Sequence, residues 1–199
     1  GRYAGSQALA AVGSTTSLNT LLGNMFMGLS VGANILISRY YGAKKEADIS
    51  ETVHTSITVA VLAGIVLAVL GNIFAKPLLV LMGSPEDVLD LAAIYVKIYF
   101  MGMPVILVYN YGAAILRAIG DTKRPLYYLT TAGVVNVVLN LIFVIGLNMS
   151  VAGVALATVI SQCVSVALLL RCMCKMEGSC KLEMKKLGIH KEKVILLLR

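Results

Sequence analysis

The sequence of 199 residues has little charge and no tryptophan: Asp, Glu, Lys and Arg together make up 14% of it. Soluble globular domains contain roughly 25% charged residues and about 45–50% apolar ones. Here the apolar fraction is 58% and the mean hydropathy is +0.86. This composition excludes an ordinary soluble domain, a disordered chain, a collagen and, with only four cysteines, a disulfide scaffold. It is typical of a membrane-embedded protein, whose excess apolar surface faces lipid.

Charge is missing altogether from four long stretches of the chain, residues 3–38, 52–75, 98–116 and 125–170. A helix needs about 20 residues to cross the ~30 Å hydrocarbon core of a bilayer, because it rises about 1.5 Å per residue. The last stretch has room for two helices and is divided by a polar, glycine-containing turn at residues 146–150. The sequence therefore predicts an all-α, polytopic transmembrane bundle. Its five spans are residues 14–38, 53–75, 91–116, 126–145 and 151–173.

Two prolines mark changes in the helical pattern. Pro85 follows a serine that can cap a helix and precedes two acidic residues, which predicts a helix start at residues 84–87. Pro104 lies inside the third span, two residues after Gly102, and removes one backbone hydrogen bond there. This predicts a kink, and both a static bend and a hinge are consistent with it.

Basic residues are concentrated on one side of the predicted bundle. Fourteen of the 17 lysines and arginines lie just after the first or third span or from Arg171 onward, and the other side holds Arg2, Lys76 and Lys97. By the positive-inside rule, the basic side and the C-terminus are predicted to be cytoplasmic, in a plasma or inner membrane. The net charge of +7 therefore does not indicate a nucleic-acid partner. An odd number of spans places Gly1 outside without a signal peptide, so we expect a fragment.

The chain divides into a transmembrane part, residues 1–175, and a tail, residues 176–199. The end of the tail mixes charge with leucine, isoleucine and valine, which predicts an amphipathic cytoplasmic segment at the membrane surface, or the start of a further span. His54 stands alone near the start of the second span, where packing is the expected role and a proton relay the alternative. The tail cysteines and His190 do not match a zinc spacing, so no metal and no cofactor are predicted.

Amides and hydroxyls, not charges, occupy the middle of the spans. Asn136 and Asn140 are four residues apart, as are Thr158 and Gln162, so each pair shares one face of its helix. Such groups need partners where water is absent, and interhelical hydrogen bonds of this kind contribute roughly 0.6–2 kcal/mol. Helix association and ligand binding are both open roles for these four residues.

A second set of polar residues lies in the first and third spans: Asn24, Asn34, Tyr109 and Asn110. Aromatic faces and amide dipoles that line an internal cavity can hold flat organic cations without a fixed charge. Packing between helices is the alternative role for each of them.

Several motifs follow Gly1-Arg2 along the chain: ALAAVGSTTSL, FMGLSVGANILISRYYGAKKEADIS, LMGSPEDV, ILRAIGDTKRPLYYL and NVVLNLIFVIGLNMSVAGVALATVISQ. In order and spacing, these motifs resemble those of bacterial multidrug and toxic compound extrusion (MATE) transporters. The resemblance extends to about Arg171. It implies twelve helices in two six-helix lobes, of which the five spans correspond to helices two to six. The tail then corresponds to the linker toward a second lobe.

The same resemblance implies a role for part of the polar set. In the family, the positions of Asn136 and Thr158, with an acidic residue one turn after the first, form a cation or proton site in the N-terminal lobe. This sequence has Asn140 where many relatives carry Asp. An amide can offer an oxygen to Na⁺ but cannot take up a proton near neutral pH. The coupling ion, Na⁺ or H⁺, therefore stays open from the sequence.

The expected function is a cation-coupled antiporter that exports small organic cations by alternating access. Its partners would be the lipid bilayer, the organic cation and a second lobe. A flippase for lipid-linked precursors is a related alternative, and it would need a larger and more cationic cavity. A non-transporting structural subunit is another. An enzyme is not expected, because the loops and tail provide no nucleophile, metal set or paired carboxylates.

Overall fold

The computed structural model describes residues 5–198, without the side chains of residues 5–9, 14, 17 and 198. Gly1 and Arg2, where the family-like pattern begins, and Arg199 lie outside the described residues. The helices in the described range are α1 (Gly5–Gly42), α2 (Glu46–Leu81), α3 (Leu89–Met101), α4 (Met103–Ala118), α5 (Lys123–Asn140), α6 (Ser150–Lys175) and α7 (Lys191–Leu198). A π-helix, Leu141–Gly146, continues α5, and a 3₁₀ turn, Met184–Lys186, lies in the tail.

The predicted all-α class is confirmed: 84% of the chain is helical, and residues 5–198 contain no strand. Helices α1, α2, α5 with its π-helix, and α6 are each long and apolar enough to cross a membrane. Helices α3 and α4 meet at an angle of 48° and together form a fifth candidate span. The five spans of the prediction therefore correspond to these elements in order.

The start of α3 differs from the prediction. The helix begins at Leu89, so residues 84–87 precede it instead of starting it. Pro85 and Glu86 are part of a turn, in which their carbonyls accept hydrogen bonds from the main-chain N–H groups of Val88 and Leu89. The Ser84 hydroxyl is buried without a hydrogen-bond partner and does not cap the helix. Residues 84–87 therefore have the sequence pattern of a helix cap but form a turn before α3.

Helix α4 lies at the centre of the bundle and packs against α1, α2, α3, α5 and α6. Helix α2 packs against α3, α4 and α1, whereas α5 packs mainly against α6. Much of the apolar surface stays exposed. Leu62, Val69 and Ile73 on α2 are half-exposed or more, and so are Leu126 and Val134 on α5. In water this exposure would be unfavourable, but in a bilayer it provides the lipid-facing surface.

The bend between α3 and α4 is seated against two glycines of α2. Pro104 packs against Gly64, and the Phe100 ring packs against Gly71, so closely that a methyl group at either glycine would overlap its neighbour. Gly64 and Gly71 are seven residues apart and share one face of α2. The kink predicted at Pro104 is present, with the break at Gly102. Its packing favours a static bend.

Replacing Gly64 with Ala is expected to destabilise the protein by about 1–3 kcal/mol, as overpacking of a filled core does. The added carbon would lie 2.8 Å from the Pro104 nitrogen, and backbone cannot move aside as a flexible side-chain end can. Gly28→Ala is the matched control, because nothing lies within 4 Å of a carbon added at Gly28. Thermal unfolding in detergent should show a lower midpoint for Gly64→Ala only. Equal midpoints would contradict the tight seating.

The tail folds back over one end of the bundle, here called the basic end, which contains the loops at residues 43–45 and 119–122. The main-chain N–H of Leu182 donates to the Met173 carbonyl at 3.0 Å, and that of Glu183 donates to His54 Nε2 at 3.0 Å. His54 Nδ1 lies 2.7 Å from the Ser50 carbonyl oxygen. Both ring nitrogens of His54 therefore bind main-chain groups, which supports the packing role.

The last helix, α7, lies against α1 and α2. The Leu197 carbonyl group packs directly on Gly32, the second glycine of a GxxxG motif, while Gly28 has no close neighbour. Leu197 and Leu182 are buried, yet Met184 and Ile195 are exposed and Lys193 is buried. The tail is thus less regularly amphipathic than its sequence predicts, because it packs on protein along part of its length.

Candidate functional site

Four polar residues form a contact between α5 and α6, here called the amide–hydroxyl cluster: Asn136, Asn140, Thr158 and Ser161. The amide nitrogen of Asn136 lies 3.4 Å from both Thr158 Oγ1 and Ser161 Oγ. Asn140 Nδ2 donates at 3.0 Å to the side-chain oxygen and to the main-chain carbonyl of Asn136. Asn136 therefore links the two helices and orients its neighbour on α5.

One oxygen of this cluster is left without a donor. Asn140 Oδ1 is buried and has no hydrogen-bond partner. Leaving a polar atom unpaired in the interior costs about 1–3 kcal/mol, so such atoms in native proteins need an explanation. The helix also changes character at this point, because the π-helix Leu141–Gly146 begins directly after Asn140. π-helical turns occur frequently at functional sites.

The cluster borders a cavity of about 300 Å³ between α5 and α6, which Gln162 also lines. Ala132 and Gly133 leave space on the α5 side, since neither carries a large side chain. The Gln162 side-chain oxygen accepts a hydrogen bond from the Ser165 hydroxyl at 3.3 Å. All four polar residues predicted on these two helices thus lie near one another, and Asn140 is the one that does not line the cavity.

Sequence reasoning missed Ser161, which is buried and donates to the Thr158 carbonyl at 2.8 Å. A serine in an apolar helix is common and carries no signal alone. Its position three residues after Thr158, on the same helical face, is the one hint that the sequence offers.

The residues predicted to line a cation cavity have separate environments. Tyr109 is buried, and its hydroxyl donates to the Pro125 carbonyl at 2.7 Å, which links α4 to the start of α5. Asn110 donates to the Ile106 carbonyl of its own helix at 3.0 Å. Asn24 is exposed on α1. The structure therefore does not bring these three residues together.

Asn34 is the member of this set that borders a cavity. A space of about 420 Å³ between α1 and α4 is lined by Met27, Ser30, Val31, Asn34, Ala114 and Arg117. Asn34 donates its amide to the Ala114 carbonyl at 2.9 Å, which leaves its side-chain oxygen free of that bond. Arg117, at the end of α4, contributes a cation to the lining.

Comparisons with known proteins give the same picture as the motifs. The family model MatE matches residues 1–142. The chain is 36% identical over 206 residues to the probable multidrug resistance protein YoeA of Bacillus subtilis, with 100% of this chain and 44% of that protein covered. It spans less than half the length of that relative.

Two solved structures are similar over nearly the whole chain. An inward-facing MATE family transporter of the MOP superfamily matches with a TM-score of 0.89 at 25% identity, covering 97% of this chain and 44% of the other. An outward-facing MATE family transporter matches with a TM-score of 0.86 at 25% identity, and the match covers 98% of this chain and 43% of the other. The apolar helices and these similarities indicate a multi-pass membrane protein. The chain belongs to the multidrug and toxic compound extrusion family, which is a family of transporters and not of enzymes.

Proposed function

We propose that this chain forms one lobe of a cation-coupled antiporter that exports organic cations, and that the amide–hydroxyl cluster binds the coupling cation. The main observation in support of an ion site is that Asn140 Oδ1 is buried and unpaired. It belongs to a cluster that also contains the side-chain oxygens of Thr158 and Ser161. The site is built from α5 and α6, and the rest of the transport pathway would lie between this lobe and a second one.

The chemistry of the cluster favours Na⁺. Its side-chain oxygens come from amides and hydroxyls, the neutral donors that suit hard cations. A small rotation of Thr158 or Ser161 would turn a hydroxyl oxygen toward the cation, since each now bonds a carbonyl of its own helix. None of these groups takes up a proton near neutral pH. Proton coupling would need a carboxylate outside the cluster.

Alternating access is supported by the comparison of two transporter states. The chain superposes about as well on the inward-facing structure as on the outward-facing one, with TM-scores of 0.89 and 0.86. A lobe that keeps its internal shape in both states moves as a rigid body against its counterpart. Ion binding can then shift the balance between states only through a difference in affinity.

The substrate would occupy the space between lobes, next to the α1–α4 cavity. Exposed amides such as Asn24 and the free oxygen of Asn34 offer dipoles to a cationic guest. A flippase of lipid-linked precursors would need a more cationic cavity. It is less well supported, because Arg117 is the one basic residue among those that line this cavity. The buried Lys193 lies elsewhere, in the tail, and pairs with carboxylates. We further propose that the basic end faces the cytoplasm, as the positive-inside rule predicts.

The test is transport by the complete protein in proteoliposomes. An imposed Na⁺ gradient should drive ethidium in the opposite direction, and an equal K⁺ gradient should not. Collapse of the pH gradient with a protonophore should leave Na⁺-driven transport intact. Ethidium movement that ignores the Na⁺ gradient would refute the coupling, and movement that follows only the pH gradient would refute the choice of ion.

A further inference from the structure

A second polar cleft lies between α5 and α6, at the basic end and away from the amide–hydroxyl cluster. Its volume is about 700 Å³, within the roughly 300–1,000 Å³ range of ligand sites. It is lined by Arg124, Tyr128, Leu168, Arg171, Cys172, Lys175, Met176 and Glu177. The proposed ion coupling and organic-cation binding do not involve these residues.

The cations of this cleft come from facing surfaces of the two helices. Arg124 and Tyr128 are four residues apart on α5, and Arg171 and Lys175 are four apart on α6, so each pair shares a face. The Arg124 guanidinium reaches across the gap, with Nη1 3.5 Å from the Cys172 sulfur. Its Nε lies 3.3 Å from a carboxylate oxygen of Asp121, behind the cleft.

The charges in the cleft do not balance. Three cations and one carboxylate, that of Glu177, line it. Within the described part of the chain, no salt bridge forms to Arg171 or Lys175. Like charges that face one space repel each other, and an anion placed between them removes that repulsion. The cleft is thus complementary to a negatively charged group.

We propose that this cleft binds the headgroup of an anionic phospholipid. It lies where two membrane-spanning helices end, which is the depth of the headgroup layer, and Tyr128 is of the type that anchors at this level. The planar forks of Arg124 and Arg171 match phosphate oxygens. Leu168, one turn from Arg171 toward the membrane interior on α6, also lines the cleft and would contact the acyl chains.

A lipid fits these features better than a soluble anion does. A free phosphate would use the cations alone, whereas a phospholipid uses both the cations and the apolar side chain of Leu168. Basic pockets between transmembrane helices on the cytoplasmic side are typical sites for anionic headgroups. This inference uses the proposed orientation of the basic end but does not depend on the ion coupling.

The experiment measures lipid retention by native mass spectrometry on the complete protein, titrated with phosphatidylglycerol or phosphatidylcholine in detergent. Arg171→Gln with Lys175→Gln should weaken phosphatidylglycerol binding about 30-fold, which corresponds to roughly 1 kcal/mol for each cation. Binding of phosphatidylcholine should not change. Lys44→Gln with Lys185→Gln is the matched control, because it removes two exposed cations of the same end without touching the cleft.

Three outcomes would overturn the proposal. Equal losses in the two double variants would show a general charge effect instead of a site. Displacement of the lipid by millimolar inorganic phosphate would assign the cleft to a soluble anion. In a background without the native cysteines, an Arg171→Cys variant that resists a water-soluble maleimide in the lipid-free complete protein would show that another part of the protein covers the cleft. Since none of these readouts involves transport, they stay distinct from a failure of the antiporter proposal.

Discussion

Asn136→Leu is expected to shift both the stabilisation of the complete protein by Na⁺ and the Na⁺-driven transport of ethidium to much higher Na⁺ concentrations. Leucine has a similar size but offers neither the oxygen nor the amide nitrogen that holds Asn140, Thr158 and Ser161 in one cluster. Loss of a polar ligand to a charged group costs about 1.5–3 kcal/mol. The Na⁺ concentration for half-maximal effect should therefore rise about 10- to 100-fold.

Thermal unfolding at increasing NaCl, with choline chloride as the ionic-strength control, measures this directly. Ligand at 100 times its dissociation constant stabilises a protein by about 2.7 kcal/mol, so the wild-type midpoint should rise clearly. Asn72→Leu is the matched control, because Asn72 lies on α2 and donates to the Ala68 and Lys97 carbonyls, outside the cluster. If Asn136→Leu keeps the full Na⁺ response, the cluster serves helix packing only and the ion site lies elsewhere.

The spans of this fold could be predicted from sequence because the membrane imposes one strong rule. A helix in lipid cannot carry unpaired charge, so gaps between charged residues mark the crossings directly. The loops obey weaker rules. At residues 84–87 the same residues are compatible with a helix cap or with a turn, and in the structure the main-chain N–H groups of Val88 and Leu89 bond back to form the turn. The sequence therefore predicts that a break occurs but places the start of α3 several residues too early.

The site could be predicted only in part, for a related reason. The spacing of Asn136 and Asn140 shows that they share a face, but not that the face meets Thr158 on α6. The family resemblance supplied that pairing. Neither spacing nor resemblance indicated Ser161 or the change to a π-helix after Asn140, because both depend on how α5 and α6 pack. Tyr109 shows the opposite case, since its polar pattern indicated a cavity and its hydroxyl is used to link two helices.

The environment of Lys193, in the tail, could not be predicted from the sequence. Lys193 is one of eight basic residues from Arg171 onward and would be expected in water. It is buried and forms an ion pair with Asp48, 145 residues away in sequence, and lies 3.7 Å from a carboxylate oxygen of Glu51. Its ammonium group also stands 4.5 Å from the centre of the Tyr40 ring, a cation–π contact. These contacts anchor α7 to the basic end.

Lys193→Met is expected to release the tail from the bundle. Methionine keeps most of the aliphatic stem but loses the charge, and the loss of a charged hydrogen bond to the partly exposed Asp48 carboxylate costs about 1–2 kcal/mol. The undocked population should therefore rise about 5- to 30-fold. Cys180, in the same tail, reports it, because burial in the docked state raises the pKa of its thiol to about 11. In the undocked tail the thiol regains an ordinary pKa of about 8.5 and reacts far faster at pH 8.

The measurement is the rate of maleimide labelling at pH 8, in a background that keeps Cys180 alone. Lys193→Met should label about 5- to 30-fold faster than the parent, in step with its undocked population. Lys191→Met, an exposed lysine of the same helix, should label at the parent rate. A labelling rate that is the same in all three proteins would mean that the ion pair with Asp48 does not hold the tail in place.

The pH dependence of this anchor follows from the charge of Lys193. Burial alone would lower the pKa of its ammonium group, but hydrogen bonds to Asp48 and the Tyr40 hydroxyl outweigh burial and raise it. A group whose pKa is raised on folding contributes its full stability below the ordinary lysine pKa of about 10.4 and loses it as the pH rises through the higher, folded value. Docking of α7, followed by the protection of residues 191–198 against hydrogen exchange after correction for the intrinsic exchange rate at each pH, should therefore stay constant from about pH 8 to about 9 and weaken only above that range.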